Sequence, residues 1–136
     1  MTPRYMLDTD ICIHIVRDRP SAVKARFDRL KPDEVVISAV TYGELYFGAR
    51  KSKFSATAFA QLDKFTQDVP VATLDSLAGA KYGEIRAVLE RQGRIIGNND
   101  LWIAAHALAA GVILVTSSNE REFGRIPGLR VDNWTK

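Results

Sequence analysis

At 136 residues and 15.1 kDa the chain is sized for a single domain, 1–136, with room for a proper core. A hydrophobic fraction of 46% argues against wholesale disorder, and no run approaches the roughly 20 apolar residues that span a bilayer. The net charge of +3 admits a polyanionic partner without requiring one, and the single Cys12 excludes an internal disulfide and suits a reducing cytoplasm. The first residues show no long apolar run with a small-residue cleavage site, so no secretory leader is expected.

Arg4 to Leu7 reads as a short buried strand that closes at Asp8. Ile11 to Arg17 reads as a helix broken at Arg19-Pro20. Ser21 is a plausible cap for a helix with Val23, Phe27 and Leu30 on one face. Lys31-Pro32-Asp33 marks a turn, and Glu34 to Ser38 is rich in β-branched residues and predicts a strand. A helix is expected from Thr41, then an apolar stripe at Phe54, Ala58, Leu62 and Phe65, then a strand over Val69 to Ala72. Asp75 or Ser76 caps a helix with Ala78, Tyr82, Ile85 and Leu89 on one face. Gly93 and Gly97 bracket a loop, and Asn98 and Asn99 are expected to cap an apolar helix that runs to Ala110 and stops at Gly111. Val112 to Thr116 predicts a strand, and Leu129 to Val131 a last one. Strands alternating with helices imply α/β architecture: a mostly parallel sheet covered by helices on both faces, with ligands beyond the carboxyl ends of the strands.

Three acids stand at the edges of apolar runs: Asp8, Glu44 and Asp100. A carboxylate there is costly unless something neutralises it. Each has a structural alternative. Asp8 or Thr9 could cap the next helix, Thr41 and Glu44 form a capping-box pattern, and Asp100 sits where a negative charge favours the helix dipole. These explanations are independent, whereas one divalent-cation site explains all three acids together. Asp10 is either a further carboxylate beside the metal or an exposed cap. His14, His106, Cys12, Trp102 and Trp134 read as packing or surface residues. Basic residues gather at 17–31, 50–53 and 86–94; most read as solvated faces, and a subset could border the acids and hold phosphates.

The order of five segments resembles the PIN-domain ribonucleases, and within them the VapC toxins of bacterial toxin–antitoxin pairs. The segments are Met6 to Ile13, Ile37 to Leu45, Tyr82 to Arg86, Ile96 to Ala107, and Glu122-Phe123 through Pro127-Gly128-Leu129 to Asn133-Trp134. The resemblance implies a three-layer α/β sandwich and an endoribonuclease that depends on Mg²⁺ or Mn²⁺. It maps the family's acidic triad onto Asp8, Glu44 and Asp100, as catalytic and metal-holding residues. Counting back from Phe123 puts the family's fourth site position at Asn119. The loop Thr116-Ser117-Ser118-Asn119 is one residue longer than the common pattern, which leaves Ser118 and Glu120 as alternatives. Asp10 also departs from the usual Asp-Thr-Asn of the first motif. The resemblance further implies a cytoplasmic toxin that inhibits translation and a VapB antitoxin that neutralises it. A homodimer within the toxin–antitoxin assembly is implied, with operator DNA bound only through the antitoxin. For chains with the Gly-Asn-Asn-Asp-Leu-Trp-Ile-Ala pattern it implies structured RNA as substrate, notably the anticodon stem-loop of initiator tRNA.

Two other readings compete. Leu7-Asp8-Thr9-Asp10 resembles the nucleophile motif of haloacid-dehalogenase-type phosphatases, but the later acidic pair that such enzymes need is missing after Thr116. A non-catalytic nucleic-acid-binding module would need only the basic residues.

Overall fold

The structure, a computed structural model, describes residues 3–17 and 21–136. The strands are β1 (Tyr5–Leu7), β2 (Val35–Ser38), β3 (Val71–Ala72), β4 (Ile113–Thr116) and β5 (Val131–Asn133). The helices are α1 (Thr9–Val16), α2 (Ala22–Asp28), α3 (Ala39–Lys51), α4 (Ser55–Asp68), α5 (Ser76–Arg91), α6 (Asn98–Ala110) and the single turn α7 (Glu120–Phe123). The strands form one sheet in the order β3-β2-β1-β4-β5, and every pairing is parallel.

Helical connections produce that pattern, because parallel neighbours need a long crossover. From β1 the chain steps outward to β2 and β3, then returns through α5 and α6 to pair β4 on the other flank of β1. The strand order therefore reverses between β1 and β4. At such a reversal the connections diverge and leave a crevice beyond the strand ends. Leu7 is in register with Val115, and the Asp8 N–H continues the ladder by donating to the Val115 carbonyl at 2.9 Å. Asp8 and Thr116 thus leave the sheet side by side.

The two-residue period of the strands divides the core between two faces. Met6, Val36 and Leu114 pack with Ile85 and Leu89 of α5, Leu101 and Ile103 of α6, and Phe123. Leu7, Val35, Ile37 and Val115 pack on the other face with Ile11 and Ile15 of α1, Val23 of α2 and Phe65 of α4. Helix, sheet and helix make the expected three layers. Helix α6 is buried from Leu101 through Ala107 except at Trp102, which fixes it against the sheet. Each buried Leu or Ile there contributes roughly 1.5–3 kcal/mol of apolar transfer. Gly111 ends the helix with φ 70°, a left-handed geometry that glycine adopts without a Cβ penalty.

Several boundaries differ from the sequence expectation. Helix α3 starts at Ala39 because Ser38, at the end of β2, accepts from the Val40 N–H at 3.1 Å. The expected Thr41–Glu44 capping box is therefore wrong: both residues lie inside the helix. The N-cap of α6 is Gly97, which has no side chain to offer, so Asn98 and Asn99 are not caps. Asp75, not Ser76, caps α5 by accepting from the Ala78 N–H at 3.0 Å. Phe54 does not join the buried stripe of α4 but precedes the helix, 76% exposed. The last strand lies two residues later than expected, because it pairs through Val131, Asp132 and Asn133 with Leu114 to Thr116. The expected break at Arg19-Pro20 falls outside the described residues.

Candidate functional site

Asp8 is the N-cap of α1 and sits at the strand-order reversal, 1% exposed. Its Oδ1 accepts from the Ile11 N–H at 2.9 Å, so the capping alternative holds for this oxygen. Its Oδ2 accepts from the Thr116 hydroxyl at 2.5 Å, across to β4. Capping does not account for this second bond. Burial pushes the Asp8 pKa up to about 7, against the pull of those two hydrogen bonds, and the charges of Asp10 and Asp100 add to the rise.

Asp100 arrives from another direction. Buried α6 carries it in the first turn, where the backbone amides favour a negative charge. Its pKa still rises to about 6, first from burial, then from the charges of Glu44, Asp10 and Glu122. These perturbations place Asp8, Asp10, Glu44, Asp100 and Glu122 within electrostatic reach as one group.

Glu44 lies in the second turn of α3, where its Oε1 accepts from the Thr9 hydroxyl at 2.5 Å. Its Oε2 accepts from Asn99 Nδ2 at 3.4 Å. This carboxylate links α1, α3 and α6. Thr41 contributes its hydroxyl to the same junction, at 3.5 Å from that of Thr9.

The loop after β4 closes the site. Asn119 Nδ2 donates to Asp100 Oδ2 at 3.4 Å, and the Asn119 N–H donates to the Thr116 hydroxyl at 3.2 Å. Of the three residues left open for the fourth position, Asn119 meets Asp100. Ser118 instead donates to Asp10. Glu120 pairs with Lys136 at 2.8 Å and accepts from Asn133, which lowers its pKa.

Sequence reasoning misses two participants. Thr116 reads there only as the end of a strand, yet its hydroxyl joins Asp8 to Asn119. Glu122 figures only as part of a motif, yet its charge reaches Asp100. The pattern Thr-x-x-Asn after an apolar strand is the available signal for Thr116. His106 is buried with Nδ1 2.8 Å from Ser38 Oγ, and burial lowers its pKa; it supports the start of α3. His14 is exposed, Cys12 and Trp134 are buried in the core, and Trp102 stacks on Tyr82.

Among the described residues, no Lys or Arg forms an ion pair with Asp8, Asp10, Glu44 or Asp100. Arg26 is taken by Asp132 at 2.9 Å and Arg86 by Glu90 at 2.7 Å. Two carboxyls, Asp8 and Asp100, whose pKa values are raised by burial and by neighbouring acids, with no protein cation between them, form a site suited to an added cation. Their hard oxygens suit Mg²⁺ or Mn²⁺ rather than a soft metal. Among the described residues, no three His, Cys, Asp or Glu side chains already converge as a cage. A separate groove of about 230 Å³ lies between α1, α2 and α4, lined by Ile15, Val16, Phe27 and Phe65 with Lys24 and Lys64.

Comparison with known proteins agrees over nearly the whole chain. Residues 5–129 match the model of the PIN domain. The chain is 42% identical over 132 residues to the tRNA(fMet)-specific endonuclease VapC of Shigella flexneri, covering 97% of this chain and 98% of that protein. It is 40% identical over 131 residues to ribonuclease VapC2 of Haemophilus influenzae, covering 96% and 98%. Among solved structures it resembles the DNA-bound VapBC of Salmonella typhimurium, with a TM-score of 0.91 and 38% identity over 98% of this chain and 99% of that one.

Proposed function

The chain belongs to the PIN-domain family, among its VapC ribonucleases, and on that premise we propose that it is a divalent-metal-dependent endoribonuclease toxin restrained by a VapB-type antitoxin. The observation that carries the metal-dependent reading is that Asp8 and Asp100, the latter within electrostatic reach of Glu44, meet near the strand-order reversal with carboxyl pKa values raised to about 7 and about 6. In this reading Asp8 and Asp100 hold the ion, with Glu44 and Asn119 acting on it directly or through its waters. When bound, Mg²⁺ or Mn²⁺ supplies an activated water and neutralises charge on the scissile phosphate.

The chain's own residues set the geometry. The Thr116 hydroxyl and the Ile11 N–H hold Asp8 in one orientation. Thr9 and Asn99 hold Glu44, whose carboxylate can orient a nucleophilic water and accept its proton. The Asn119 amide donates to Asp100 and ties it to the loop after β4. No group here needs the RNA 2′-hydroxyl as nucleophile. Choice of RNA then falls to the rim and to an exposed loop of the substrate. Likeness to a tRNA(fMet)-specific endonuclease supports an initiator tRNA as the target, with loss of translation as the consequence.

The partner reading rests on likeness to VapBC complexes and on exposed apolar side chains toward the end of α3. Phe47 and Phe54 are 63% and 76% exposed around the end of α3, the kind of surface that a protein partner covers. Assembly as a homodimer with that antitoxin, and operator DNA contacted through the antitoxin, complete the proposal. A cytoplasmic location fits an RNA target; among the described residues no helix is long and apolar enough to cross a membrane.

Mapping the ends of RNA cut by the antitoxin-free chain tests the chemistry. Hydrolysis by an activated water leaves 5′-phosphate and 3′-hydroxyl ends. Cyclic 2′,3′-phosphate ends overturn this mechanism. Binding without cutting, unchanged by metal, favours a nucleic-acid-binding module instead.

A further inference from the structure

One of the five motif segments is left without a task by the acidic site: Tyr82 to Arg86 on α5. The Tyr82 ring lies flat against Trp102 of α6, with centroids 3.8 Å apart and planes at 12°. Its hydroxyl donates to Asn98 Oδ1 at 2.6 Å and accepts from Arg86 Nη1 at 2.9 Å. Arg86 is itself steadied by Glu90 through Nε at 2.7 Å. Four side chains thus run in series from the exposed face of α5 to the first residue of α6.

The first turn of α6 needs such support. Its N-cap is Gly97, with no side-chain cap bond, so the turn lacks the usual local restraint against fraying. The same turn carries Asn99, which meets Glu44, and Asp100, which meets Asn119. Both contacts are 3.4 Å long, at the weak end of hydrogen bonding, so a small rotation of the turn would break them. Tyr82 grips the start of α6 at two points, by its hydroxyl at Asn98 in the first turn and by its ring at Trp102 just beyond it.

We propose that Tyr82, backed by Arg86, is a positioning residue that supplies the restraint a capping side chain would otherwise give the first turn of α6, and sets the placement of Asn99 and Asp100 in the acidic site. The proposal rests on the nuclease reading for its consequence in activity, but not for the clamp itself.

The test compares wild type with Tyr82→Phe, which keeps the ring stack and removes only the hydroxyl. Asn98→Ala removes the acceptor and leaves the ring pair untouched. Hydrogen exchange at the Leu101 amide, which donates to the Gly97 carbonyl at 2.9 Å, reads the clamp directly without metal or substrate. Both variants should exchange there about fivefold faster, the equivalent of one ordinary hydrogen bond. On RNA, Tyr82→Phe should lower kcat by about the same factor, leave KM unchanged and raise the Mg²⁺ concentration for half-maximal rate. Wild-type exchange at Leu101 in both variants overturns the proposal. So does an activity loss that follows only the fraction of folded protein, because a merely structural residue would leave the Mg²⁺ midpoint alone. If wild type cuts no RNA, or Asp100→Asn cuts as well as wild type, the nuclease reading fails, and faster Leu101 exchange still upholds the clamp.

Discussion

Replacing Asp8 by Asn should make the metal-free protein more stable at pH 8, although the residue is buried and doubly hydrogen-bonded. The carboxyl titrates near 3.8 when unfolded and about 7 when folded, a rise caused mainly by burial. Between those values the native state binds more protons than the unfolded chain, so the cost of ionising Asp8 is absent below about pH 4, grows with pH, and is complete above about pH 7. A rise of that size costs the folded state about 4 kcal/mol once the carboxyl is fully ionised. Asparagine keeps the cap, since its oxygen accepts from the Ile11 N–H as well as the carboxylate does. It cannot accept from Thr116 while its oxygen faces Ile11, which returns about 1 kcal/mol. The net gain is about 3 kcal/mol, or roughly 10 °C in Tm for a chain of this size. Thermal unfolding in EDTA at pH 8 and pH 4.5 measures it. The two proteins should unfold at nearly the same temperature at pH 4.5 and diverge at pH 8. Mg²⁺ should then raise the Tm of the wild type and not of the variant. A variant less stable than wild type at pH 8 would refute the reasoning, since Asp8 would then be a satisfied structural carboxylate rather than one waiting for a cation.

Thr116→Val removes the hydroxyl shared by Asp8 and the Asn119 N–H, so it should cost about 1–3 kcal/mol in urea unfolding and lower the cleavage rate as well. If catalysis needs Asp8 and Asp100 ionised, the rate should climb as pH passes from about 6 to about 7, and rising Mg²⁺ should move that climb to lower pH; a climb that ignores Mg²⁺ concentration would separate these carboxyls from the metal. Gly111→Ala forces a Cβ onto φ 70° and should destabilise by about 1 kcal/mol, read as a lower urea midpoint with unchanged slope.

The sheet was legible because its strands are short apolar runs punctuated by helical stripes, and parallel α/β order follows from that alternation. Which flank of β1 receives β4 was not legible, and that placement decides where the crevice lies. Asp8 and Asp100 stood out as charges at the mouths of buried elements. Glu44 was harder: Thr41-Tyr42-Gly43-Glu44 has the spacing of a capping box, and only the earlier cap at Ser38 puts Glu44 in a turn that faces Thr9. Glu122 and Thr116 escape notice because their relevance comes from packing between segments far apart in the chain. Asn98 and Asn99 look like caps because Asn favours that position; instead they face Tyr82 and Glu44. The last strand falls two residues from its expected place because its register is set by β4, while Leu129 belongs to the packing around α6.

The measurement closest to the central claim is incubation of the purified, antitoxin-free chain with total bacterial RNA in Mg²⁺, in Mn²⁺ and in EDTA, beside the Asp100→Asn variant. Discrete fragments that need both the metal and Asp100 are the predicted result. Equal cleavage in EDTA, or by a folded Asp100→Asn chain, would contradict a metal-dependent nuclease built on these carboxylates.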